Sequence, residues 1–143
     1  MIERAVEDVS IVDAHAHLGY CANFYMPDIS LGRMVNIMDK LNIKRICCSH
    51  LAGLLTHHFD YAHKKTLEAI KQYPGRIFGY AIYDPNYPTD SLESAKEYLK
   101  MDGFIGIKIH PAMHEYSIDG EKYNQLLNQC SKLHHLDRFS SPS

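Results

Sequence analysis

Ile11-Val12-Asp13-Ala14-His15-Ala16-His17-Leu18-Gly19 alternates strictly between two kinds of side chain. Val12, Ala14, Ala16 and Leu18 hold one parity; Asp13, His15 and His17 hold the other. Successive side chains of a β-strand point to opposite faces, so residues two apart line up. The stretch predicts a strand over residues 10–18 with both imidazoles on one face. Two imidazoles held this way by rigid backbone are placed to grip one divalent metal ion. The same spacing also suits a pair of hydrogen-bonded strand histidines. Asp13 has two readings as well: it orients an imidazole, or it bonds backbone at the strand end.

Outward from that stretch the chain punctuates itself. A loop from Gly19 to Ile29 carries Tyr20, Phe24 and Tyr25, with a Pro27-Asp28 turn signal. Ser30 reads as the N-cap of a helix whose Leu31, Met34, Ile37, Met38 and Leu41 follow helical spacing, with Asn42 as its stop. A second strand runs from Ile43 to Ser49 and ends at His50. After a loop with Gly53, His57 and His58, Asp60 can cap a helix through Tyr73, closed by Pro74-Gly75. Strand three, Arg76 to Tyr83, is apolar on both parities, as a parallel strand covered on both sides should be, and stops at Asp84-Pro85. Asp90 with Glu93 suggests a capping box for a helix lined by Leu92, Ala95 and Leu99 and closed by Gly103. Strand four is Phe104 to His110, broken by Pro111. A last helix carries Tyr123, Leu126, Leu127, Cys130 and Leu133.

This is β-α four times over, an α/β chain of parallel strands joined by right-handed crossovers. Two folds compete: a small doubly wound sheet, and the N-terminal half of a TIM-type (β/α)8 barrel, which needs about 250 residues when whole. The strand faces favour the half-barrel over residues 1–133, with 134–143 an irregular tail. A barrel strand can give one parity to Asp-x-His-x-His where its C-terminal end opens into a site. Strand four repeats the device. Ile105, Ile107 and Ile109 would face the helices; Gly106, Lys108 and His110 would face the interior. Ionisable groups at the same end of two strands mark a functional site, since burying them unpaired is unfavourable.

Composition bounds the rest. The chain has 143 residues, a net charge of −2 and no basic patch interleaved with aromatics, so nucleic acid is not an expected partner. No segment approaches the length of a membrane span. Cys21, Cys47, Cys48 and Cys130 form no C-x-x-C pair or zinc-ribbon spacing, which suits a reducing, cytoplasmic setting. Cys47 and Cys48, in mid-strand, read as small buried groups. His50 is a weaker site candidate at the end of strand two. His57, His58, His63 and His114 read as surface or loop residues. The tyrosines after strand one line a pocket or decorate the surface.

Three segments together resemble the amidohydrolase superfamily, and within it the "amidohydrolase 2" branch of metal-dependent hydrolases and decarboxylase-like proteins. They are Ile11–Gly19 (IVDAHAHLG), Met38–Ile43 (MDKLNI) and Gly103–Pro111 (GFIGIKIHP), the last followed by Tyr116 and Asp119. The resemblance spans about residues 9–133. It implies a β/α barrel whose first strand supplies two metal-ligating histidines, His15 and His17, holding a divalent metal, zinc first. It implies a metal-bound water attacking a small-molecule substrate at a carbonyl, or a metal-oriented carboxylate in the decarboxylase relatives. Lys108 would bridge metals as a carboxylated lysine or bind a substrate carboxylate. His110 would contact substrate or a metal-bound water, or else pack on Pro111. Family ligands after the fifth and later strands have no counterpart, because the tail from Leu133 has no strand-like run. The expectation is a chain truncated after the fourth β/α unit and inactive or nearly so. A non-catalytic half-barrel that self-associates through open sheet edges is the alternative.

Overall fold

Four strands form one parallel sheet in the order β1 (Ile11–Leu18), β2 (Ile43–His50), β3 (Ile77–Ile82), β4 (Phe104–Lys108). The computed structural model describes residues 9–23 and 25–133; the expected tail 134–143, Phe24 and the side chains of residues 131–133 lie outside the described residues. Between the strands run α1 (Leu31–Lys40), the short α2 (Leu51–Leu55), α3 (Phe59–Gln72) and α4 (Pro88–Tyr98). After β4 come α5 (Pro111–His114) and α6 (Glu121–Leu133). The chain divides into two compact units between Ile109 and His110.

In the first unit the main core cluster collects Met38 of α1, Ile70 of α3 and Tyr98 of α4 against Leu18, Ile46, Cys48, Ile77, Ala81 and Phe104 of the strands, and a second cluster joins Leu54, Phe59, Ala62 and Ile82. The three crossover helices therefore cover the same sheet face. Sequential strand order with all crossovers on one face is the wall of a β/α barrel, whereas a doubly wound sheet reverses its order and covers both faces. Each large apolar side chain buried here contributes roughly 1.5–3 kcal/mol. Cys47 and Cys48 are buried free thiols, as their mid-strand position predicts.

Helix starts follow local chemistry, with some surprises. Ser30 caps α1, its Oγ accepting from the Arg33 amide at 3.3 Å. Asn42, the expected stop, takes a left-handed φ of 56° just past the helix. Asp60 and Asp90 are not caps. Both sit in a first turn, because α3 begins at Phe59 and α4 at Pro88, whose fixed φ and missing N–H suit the first helical position. The short α2 was not anticipated.

The strand pairing has three register shifts, of which the first leaves Lys44 as an extra residue in β2 between the partners of Ile11 and Val12. Ala16 pairs with Cys48 but Asp13 with Ile46, so β1 carries one extra residue between Asp13 and Ala16. Gly79 pairs with Phe104 and Tyr80 with Gly106, so Ile105 is the extra residue in β4. Ile105 was expected to face the helices; it is 51% exposed, and Phe104 fills the core instead. A bulge re-aims side chains in this way. Ile107 keeps its expected side, paired with core residue Ala81. In the second unit Tyr123 and Leu126 of α6 are buried, while Leu127, expected on the same apolar stripe, is exposed.

Candidate functional site

The C-terminal ends of β1, β2 and β4 bring His15, His17, Ser49 and Lys108 together on the sheet face away from the three helices. His15 and His17 lie edge to face with ring centroids 5.1 Å apart. The Lys108 Nζ stands 2.9 Å from His15 Nε2, a contact that crosses β2 and β3. An ammonium has no acceptor, so His15 must offer a lone pair at Nε2 and carry its proton on Nδ1. His17 Nδ1 lies 3.4 Å from Ser49 Oγ. Tyr80 Oη also crosses this face and donates to the Ala14 carbonyl at 3.3 Å. Partial burial lowers the pKa of Lys108 from its usual value. A lysine there holds its charge less firmly than one in water.

Of the two readings of Asp13, the structure takes the backbone one. Its Oδ1 accepts from the His15 amide at 2.9 Å, a turn-like bond that fits the bulge beginning there. Asp13 thus fixes where His15 leaves the strand.

His50 is structural. Its Nδ1 accepts from the Ala52 amide at 3.2 Å and caps α2, and its ring meets Tyr61 edge-on. Burial lowers its pKa, helped by the Lys65 ammonium. Gly19, at φ +88°, lets the chain turn against that ring: a Cβ there would lie 2.6 Å from His50 Cε1. His110 opens the second unit, where its Nδ1 caps α5 by accepting from the Met113 amide at 3.2 Å. Tyr20 and Tyr25 are exposed, which fits the surface reading of that loop.

Two histidines, His63 and His114, differ from the surface reading of the sequence, while His57 keeps its exposed place in a turn. His63 is fully buried between α3, β3 and α4, with Ile82 N donating to its Nε2 at 2.7 Å and Ser94 Oγ at 2.8 Å from its Nδ1. His114 is buried in the second unit, 2.7 Å from Tyr123 Oη. His57 pairs with Asp84, Nδ1 to Oδ2, at 3.0 Å. Sequence periodicity gives no sign of these partners.

Among the described residues no three His, Cys, Asp or Glu side chains gather as a metal site. His15 already faces an ammonium group through Nε2. The described donors are two imidazoles, both engaged, and they fall short of the three or four protein ligands that a zinc site uses. Among the described residues, no helix is long and apolar enough to cross a membrane.

No family model matches the chain. No curated protein matches it either. Among solved structures it is similar to a probable 2-pyrone-4,6-dicarboxylic acid hydrolase from Acinetobacter baumannii with citric acid bound, at TM-score 0.55 and 19% identity. The match covers 87% of this chain and 47% of that one, so the chain spans about half the length of that protein. At this identity the likeness is one of fold: four parallel β/α units that match half of a TIM barrel.

Proposed function

We propose that the chain carries the N-terminal half of a hydrolase site of the amidohydrolase type, and that this half binds a carboxylate group of a small-molecule substrate. The observation that carries the reading is the Lys108 ammonium, 2.9 Å from His15 Nε2 at the C-terminal ends of β4 and β1. A cation on an open sheet face, with two imidazoles able to donate beside it, is matched to an anion. The protein of similar fold is named for a dicarboxylic acid and holds citric acid, both polycarboxylates. The cost of the partial desolvation that lowers the Lys108 pKa is offset when a carboxylate pairs with it. Charge-assisted hydrogen bonds of this kind contribute about 1.5–3 kcal/mol each. Lys108 supplies charge, His15 and His17 direct hydrogen bonds, and Asp13 sets the position of His15.

Water activation by zinc at His15 and His17 is the reading that the donor set supports less. Citrate titration, followed by calorimetry on the purified chain, separates the two. Citrate binding weakened at least tenfold by Lys108→Met supports the carboxylate reading; unchanged binding in that variant refutes it. Tight zinc binding that vanishes in both His15→Ala and His17→Ala would favour the metal reading instead.

A further inference from the structure

His57 and Asp84 form a pair that the site above does not use. Asp84 follows β3 by two residues and is 0% exposed, yet it holds a carboxylate. Its Oδ1 accepts from the Asn86 amide at 2.8 Å and its Oδ2 lies 3.0 Å from His57 Nδ1. Its neighbour Tyr83 donates through its amide to the Lys108 carbonyl at 3.0 Å, so the carboxylate sits at the same C-terminal rim of the sheet as Lys108. His57 comes from the turn between α2 and α3. Its backbone is left-handed, φ 57°, a conformation that glycine and asparagine adopt more readily. Its ring stacks on Tyr87, centroids 4.4 Å apart and planes 33° apart, and its side chain remains 40% exposed. A strained residue whose ring is fixed on one edge by a buried carboxylate and on one face by an aromatic points to a function for the strain.

We propose that His57 is a general base oriented by Asp84, acting on water that attacks an activated ester or lactone. Asp84 accepts the proton on Nδ1 as a hydrogen bond, which leaves a lone pair on Nε2. The water oxygen bonds to the acyl carbon while its proton passes to Nε2. The tetrahedral intermediate then expels the alkoxide, which takes that proton back from Nε2. Acid and alcohol leave, the imidazole is neutral again, and Asp84 keeps its hydrogen bond to Nδ1 throughout. The role does not depend on the carboxylate reading of His15 and Lys108.

The test is hydrolysis of p-nitrophenyl acetate by the purified 143-residue chain, with variants His57→Asn and Asp84→Asn. Asparagine tolerates the left-handed backbone, so His57→Asn keeps the fold, checked by its melting transition. The rate should fall about a hundredfold in His57→Asn, the lower end for a positioned general base. Asp84→Asn should also fall, because the amide no longer holds the proton on Nδ1; if that buried change unfolds the chain, His57→Asn alone decides. The wild-type rate should slow in deuterium oxide. A wild-type rate no higher than that of His57→Asn overturns the proposal. So does an acetyl group trapped on His57 in mass spectrometry, since that marks a nucleophile and not a base.

Discussion

Mild acid should loosen the packing of α3 against β3 and α4 through one side chain. His63 is fully buried, and the Ile82 amide, which can only donate, points at its Nε2 from 2.7 Å. Nε2 must therefore be unprotonated, with the Nδ1 hydrogen given to Ser94 Oγ at 2.8 Å. Charging the ring would set an N–H against the Ile82 N–H in a dry interior. Burial accordingly pushes the His63 pKa down to about 4, with the Asp60 carboxylate pulling weakly the other way. In the unfolded chain the imidazole titrates near 6.5. Between these values the unfolded chain binds a proton that the folded chain refuses. Stability is thus unaffected above pH 6.5 and falls as pH drops toward 4. At about 1.36 kcal/mol per pH unit, His63 removes about 1.4 kcal/mol by pH 5.5 and about 2.5 kcal/mol by pH 4.5. Urea unfolding at about pH 7.5 and about pH 5.5, for the wild type and for His63→Gln, isolates the effect. Glutamine keeps an acceptor for Ile82 but does not titrate, and every other ionisable group is common to both chains. The wild type should lose about 1.4 kcal/mol more than the variant between the two conditions. Equal losses would refute the reasoning.

Gly19→Ala should lower stability by about 1–3 kcal/mol, because φ is +88° and the new Cβ would press on the His50 ring that caps α2; a thermal melt reads it, and an unchanged melt would show that the ring yields freely. Arg76 donates from Nη2 to Asp39 at 2.6 Å and to the Ile43 carbonyl at 3.2 Å, and from Nε to the Lys44 carbonyl at 2.8 Å. Replacing it with Ala should cost about 1–2 kcal/mol, and Lys should recover less than half, because one ammonium cannot reproduce the fork. Val12 on β1 and Ile105 on β4 are both more than half exposed on the two edge strands, so the chain should self-associate with rising concentration. Lysine at both positions should shift sedimentation toward monomer; a wild type that stays monomeric throughout the series removes self-association through these edges.

The alternation around His15 and His17 and the polar parity of β4 were enough to favour a barrel wall over a doubly wound sheet, because a period of two is dictated by the pleat itself. The meeting of Lys108 with the β1 histidines followed from the same pattern once the strands were taken as a barrel wall. What periodicity could not carry was register. One extra residue in β1 turned Asp13 onto its own backbone, and one in β4 exchanged Ile105 for Phe104 in the core. Bulges depend on how neighbouring strands pair, and pairing is not written in either strand alone.

The histidine partners were hidden for a related reason. His63 lies in a helix among Lys64 and Lys65, where local composition reads as solvent-facing. Its burial is set by β3 and α4, whose Ile82 and Ser94 are 19 and 31 residues further along the chain. His57 and Asp84 are likewise 27 residues apart, joined only because the turn before α3 folds back over the end of β3. A β/α unit brings the loops at the C-terminal rim together whatever their spacing, so chemistry gathers there from residues that look unrelated in the chain. The consequence for this molecule is specific. Its rim holds two separate groups, a lysine facing an imidazole and a buried carboxylate facing another. The first was legible because both partners lie on strands, and the second was not because its histidine lies in a turn.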